Sequence, residues 1–128
     1  MKLLLDAHSL IWAVDNPSQL GPQAAAALQD PTNELLLSAG TIWELSIKVR
    51  LQKLSLSALF RDWITKAISD LAISLLPITV EYCHVQATLA YHHRDPFDRL
   101  LAAQAQVENV PVVSADAVFD QYGITRLW

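Results

Sequence analysis

HRDPFDRLLAAQAQVENVPVVS, residues 93–114, decides how this chain folds. Its first half carries apolar residues at helical spacing, and its second half, VPVVS at 110–114, is a short apolar run of the kind that forms a buried strand. In DPFD, Asp95 suits the N-cap, Pro96 the first helical position and Asp98 the third, where carboxylates accept free backbone N–H groups and face the positive end of the helix dipole. A helix that feeds a strand directly runs antiparallel to it. DPFD therefore opens beside the carboxyl end of that strand.

The same alternation extends along the chain. Further strands are expected at 2–5 (KLLL), 34–38 (ELLLS), 73–76 (ISLL) and 124–127 (ITRL), mostly continuous apolar runs suited to burial on both faces. Helices are expected at AHSLIWAV, at GPQAAAALQ with Pro22 near its start, over 41–51 from Thr41, over 57–71 with Ser57 as cap, near 79–91, from DPFD to about Asn109, and briefly near 117–121. Alternating strands and helices predict an α/β sandwich around a mostly parallel sheet. The 57–71 helix is amphipathic, with Leu59, Phe60, Trp63, Ile64, Ala67, Ile68 and Leu71 on one stripe. Trp43, Trp63 and Trp128 are read as packing residues.

The 128 residues are expected to form one domain (1–128), large enough to bury a core without disulfides. Hydrophobic residues make up 52% and charged residues 17%, which argues against disorder. The apolar runs are too short to span a membrane. Asp6 and His8 interrupt the apolar start, so a cytoplasmic protein is expected rather than a secreted one. Cys83 is the sole cysteine and reads as a core or boundary side chain. A net charge of −4 disfavours simple binding to nucleic-acid phosphates, which would need bound cations or a local basic patch.

In a parallel sheet, strand carboxyl ends and helix amino ends share one rim, where α/β proteins place ligands. Asp6 follows the first strand, and Glu44 lies one turn into the helix after the second. Asp95 and Asp98 open the DPFD helix, and Asp116 follows VPVVS. Each acid also has a local reason to be there: Thr41-x-x-Glu44 reads as a capping box, and the aspartates can cap helices. If they converge, two carboxylates about 4 Å apart repel by roughly 4 kcal/mol at an effective dielectric near 20. Oxygen-only ligands of that charge suit Mg²⁺ or Mn²⁺, which can activate water and stabilise charge on a phosphodiester. His92 and His93 are adjacent, not four apart, so they and His8 read as surface or supporting groups rather than a zinc pair. Lys48, four residues after Glu44, reads equally as its ion-pair partner or as a substrate contact. Arg94 and Arg99 flank DPFD.

LLLDAHSLIW, TIWELSIKVRLQKL, HHRDPFDRLLAAQA and VVSAD…YGITRLW together resemble the PIN-domain ribonucleases, in particular VapC-like toxins of type II toxin–antitoxin pairs. The resemblance implies a three-layer α/β/α sandwich with strand order 3-2-1-4-5. It matches Asp6, Glu44, Asp98 and Asp116 to the family's catalytic, metal-binding acids. Asp95, Lys48, Ser114 and Arg99 are expected as supporting or substrate-positioning residues. The family implies RNA cleavage dependent on Mg²⁺ or Mn²⁺, a homodimer, and silencing by a small VapB-like antitoxin, for which the 57–71 stripe is a candidate surface unless it simply packs in the core. Two positions depart from the family. Ala7 stands where a hydroxyl residue is common, with Ser9 and Ser114 as nearby hydroxyls, and QKL at 52–54 replaces the usual GKL, so that turn is expected to differ.

Three other classes compete with a toxin ribonuclease. A phospho-acceptor receiver domain needs a late lysine, and none follows Lys66. The others are a non-catalytic PIN-like scaffold binding RNA or protein, and a PIN nuclease of RNA processing without an antitoxin.

Overall fold

The computed structural model describes residues 1–128. The expected alternation is present: β1 (Lys2–Leu5), α1 (Ala7–Asp15), a 3₁₀ turn (Pro17–Gln19), α2 (Pro22–Gln29), β2 (Glu34–Ser38), α3 (Ala39–Arg50), α4 (Phe60–Asp70), β3 (Ser74–Leu76), α5 (Val80–Thr88), α6 (Pro96–Glu108), β4 (Val112–Val113), α7 (Val118–Gln121) and β5 (Arg126–Leu127). The strands form one sheet in the order β3-β2-β1-β4-β5, with every neighbouring pair parallel. β4 and β5 are shorter than their apolar runs, two residues each.

β1 shows why continuous leucines make the centre of such a sheet. Leu3 and Leu5 face one apolar cluster with Leu10 of α1, Ala24 of α2, Leu45 of α3 and Trp63 of α4, while Leu4 faces a second with Leu101 and Ala105 of α6 and Phe119 of α7. Helices on both faces give the α/β/α sandwich. Each fully buried leucine contributes roughly 1.5–3 kcal/mol against remaining in water. The α4 stripe belongs to the first cluster through Trp63, Ile64 and Ala67, so its main partner is the core.

Several local expectations are corrected. α3 begins at Ala39, not Thr41, because the Ser38 hydroxyl accepts the Gly40 N–H at 3.1 Å and caps the helix earlier. Ser57 does not cap α4. Its N–H and hydroxyl both donate to Asp15, which also accepts the Trp63 indole N–H at 3.0 Å and so ties α1 to α4. These bonds hold the Asp15 carboxyl below its usual range against the upward push of burial. α5 stops at Thr88 rather than near 91, so residues 89–95 are a loop. Cys83 is exposed, and Trp43 is 61% exposed with its ring edge-on to Phe97 rather than packed in the core.

Gln52 has φ 57°, the left-handed conformation that glycine adopts freely. Glutamine at this position therefore carries a steric cost that glycine would not. At Gly40 a Cβ would stand 2.5 Å from Leu100 Cδ2, so the missing side chain lets α3 approach α6. Those two helices carry Glu44 and Asp98.

Candidate metal centre

Each rim acid is fixed by its local backbone. Asp6, 8% exposed, caps α1 by accepting the Ser9 N–H on Oδ1 at 2.8 Å. Asp95 caps α6 by accepting the Phe97 N–H on Oδ1 at 2.8 Å. Asp116 accepts the Val118 N–H on Oδ1 at 2.9 Å, and its own N–H donates to the buried Ser114 hydroxyl at 2.9 Å. The Ser114 hydroxyl thus fixes the backbone at Asp116. The Ser9 hydroxyl is committed elsewhere, donating to the Val113 carbonyl at 2.7 Å.

The Thr41–Glu44 capping box does not form. With Ser38 as the cap, Glu44 is the sixth helical residue, too far along to fold back, and the Thr41 hydroxyl is buried without a partner. Glu44, 4% exposed, instead takes the Lys48 ammonium on Oε2 at 2.8 Å. That hydrogen bond raises the Lys48 pKa, with the charges of Glu44, Asp95 and Asp98 adding to it against desolvation. Lys48 is therefore a real ion-pair partner at the edge of the acidic rim.

Asp98 has the strongest perturbation. Burial, with the charges of Asp95, Glu44, Asp6 and Asp116 adding to it, pushes its carboxyl from 3.8 up to about 7. The direction is what repulsion among crowded carboxylates requires. The tight group is smaller than the expected quartet: Asp98, Asp116 and His93 each offer one ligand atom within 4.8 Å of the others. Asp6 and Glu44 stand outside that group and act on Asp98 through their charge.

His93 is the residue that sequence reasoning underrated. Its Nε2 lies 3.0 Å from Asp98 Oδ2 and 3.8 Å from Asp116 Oδ2. Its spacing from His92 hid this, because the relevant signal is local. A histidine two residues before an Asp-Pro cap can turn its Nδ1 back to the cap's own N–H, here at 3.1 Å. His8 and His92 lie elsewhere, against Trp12 and Tyr122.

Arg99 also needs correction. It is 9% exposed, and none of its hydrogen bonds goes to an acid of the rim. The guanidinium donates to the carbonyls of Gln86, Leu89 and Ala90 and to the Tyr122 hydroxyl, with the Tyr91 ring 4.9 Å away. It caps the end of α5 and anchors the loop that carries His93. Replacing Arg99 by Leu leaves those carbonyls without their donor, and urea unfolding is expected to show a loss of about 1–3 kcal/mol. Arg99→Lys should recover only part of it, because one ammonium cannot reproduce the planar fork. Equal stability of Arg99→Leu and the parent would contradict this role.

The family model described as PIN domain matches residues 3–124, and the chain belongs to the PIN domain family. Among solved structures, VapBC2 from Rickettsia felis, bound to a DNA fragment from its promoter, matches with TM-score 0.75 at 14% identity, covering 98% of this chain and 97% of that one. FitAcB from Neisseria gonorrhoeae matches with TM-score 0.65 at 19% identity, covering 97% and 95%. VapBC-1 from nontypeable Haemophilus influenzae matches with TM-score 0.65 at 18% identity, covering 98% and 96%. At these identities the likeness is one of fold. No curated protein sequence matches the chain. No helix is long and apolar enough to cross a membrane.

Proposed function

We propose that residues 1–128 form a single PIN domain acting as a divalent-cation-dependent endoribonuclease, the toxin of a toxin–antitoxin pair. The observation that carries this reading is the state of Asp98. Its pKa of about 7, beside Asp116 and within the field of Asp6, Glu44 and Asp95, marks a carboxylate cluster short of positive charge. The carboxylate oxygens of that rim, taken without the His93 nitrogen, are donors of the kind Mg²⁺ or Mn²⁺ takes. Asp6, Glu44, Asp98 and Asp116 would hold the ion. When bound, it supplies the water activation and charge stabilisation that phosphodiester hydrolysis needs.

The chain's own residues supply positioning. The caps on Asp6 and Asp116 each leave one carboxylate oxygen free, Ser114 fixes the backbone at Asp116, and Lys48 holds Glu44. The exposed Arg94, beside His93, is suited to a substrate phosphate. Membership of the PIN family and the likeness to VapBC and FitAcB structures support a small antitoxin of the VapB kind as partner, and we extend the reading to a cytoplasmic homodimer.

The test is cleavage of single-stranded RNA by purified protein. Strand scission is expected with Mn²⁺ or Mg²⁺ and none with excess EDTA. Expression alone should arrest growth, and co-expression with a small open reading frame beside its gene should relieve it. Intact RNA at saturating cation, with normal growth, would favour a non-catalytic scaffold.

A further inference from the structure

We propose that His93 sets the cation affinity and selectivity of this site: its Nε2–H fills the gap between Asp98 and Asp116 and is displaced, without ever ligating, when a hard divalent cation binds. The inference rests on the metal-site reading above.

The imidazole's tautomer follows from its neighbours. The Asp95 N–H donates to Nδ1 at 3.1 Å, so Nδ1 presents a lone pair and the ring proton sits on Nε2. Nε2 lies 3.0 Å from Asp98 Oδ2 and 3.8 Å from Asp116 Oδ2. The three ligand atoms lie within 4.8 Å of one another, so a cation held by both carboxylates would meet the imidazole at Nε2.

Ligation through Nε2 would move that proton to Nδ1, where it would face the Asp95 N–H, donor against donor. The loop resists such a change at both ends. Asp95 is fixed as the α6 cap and followed by Pro96, and Arg99 holds the carbonyls of Leu89 and Ala90. The ring therefore leaves the gap rather than joining the ligands. An oxygen-only set remains, which favours Mg²⁺ and Mn²⁺ over zinc.

The test is calorimetric titration of Mn²⁺, and separately Zn²⁺, into the parent, His93→Ala and His93→Gln, with melting curves to confirm folding. Both variants lose the acceptor for Asp95, but glutamine keeps an N–H donor near the position of Nε2. His93→Ala should bind Mn²⁺ roughly fivefold more tightly than the parent, as expected for the loss of one competing polar contact, worth about 1 kcal/mol. His93→Gln should stay near the parent, and Zn²⁺ binding should not weaken in either. Weaker Mn²⁺ or Zn²⁺ binding by His93→Ala would make His93 a ligand and overturn the proposal, as would equal Mn²⁺ affinity in all three proteins. Long-range ¹H–¹⁵N spectra of the metal-free parent should show the proton on Nε2, and a proton on Nδ1 overturns it even if a variant fails to fold. A parent that binds no Mn²⁺ would instead overturn the metal site itself, and this inference with it.

Discussion

Asp98→Asn is expected to cut RNA cleavage by on the order of a hundredfold to a thousandfold and, at the same time, to make the metal-free protein harder to unfold above pH 7. Most substitutions at buried positions destabilise; this one removes a charge that the fold resists. The Asp98 carboxyl is raised from 3.8 to about 7, so between those values the folded chain holds a proton that the unfolded chain releases. Stability therefore falls as pH rises through that window, and the full cost of the charge is present above pH 7. The cost is roughly 4 kcal/mol. At pH 8 the substitution should raise the melting temperature by at least about 5 °C, and at pH 4 the two proteins should melt together. A variant that melts lower than the parent at pH 8 would show that the repulsion is not there.

Manganese should stabilise the parent protein by the same physics in reverse. A ligand bound only by the folded state contributes RT ln(1 + [L]/Kd), or about 2.7 kcal/mol at a hundredfold excess over Kd. Differential scanning calorimetry at pH 8 should show a concentration-dependent rise of roughly 5–10 °C. Below the Asp98 pKa of about 7, a proton must leave before the cation binds, so the Mn²⁺ needed for a given shift should grow by up to about tenfold per pH unit. Asp98→Asn should lose most of the shift. An equal rise from K⁺ at matched ionic strength, or in Asp98→Asn, would mean general screening rather than a site.

The order of elements was legible because strands buried on both faces read as plain apolar runs and helices as 3.6-residue periodicity; LLL at 3–5 could be little else. DPFD was legible because proline and two aspartates mark a helix start by local chemistry. What the sequence hid was competition between partners. Ser38 and Thr41 could each cap α3, and the strand geometry favours the earlier residue. Ser57 had a local role available but binds Asp15, 42 residues away. Arg99 follows a site residue yet turns from the rim to satisfy the α5 carbonyls, which sequence proximity cannot reveal. The convergence of the acids was legible only in part. Asp98 and Asp116 meet, whereas the pull of Lys48 on Glu44 and the capping bond of Asp6 depend on side-chain directions that spacing leaves free.

Asp6, Asp95 and Asp116 each give one oxygen to a backbone N–H, whereas Asp98 does not. Asparagine at a capping position can keep its carbonyl on the amide and turn its NH₂ outward, so the helix survives while a donor replaces the free acceptor. An inactive Asn variant at 6 or 116 therefore reports a reversed dipole as well as a missing charge. At Asp98 the substitution removes the charge with no helix cap involved, so its effect on the fold comes from the relief of repulsion and the contact with His93 rather than from the helix end.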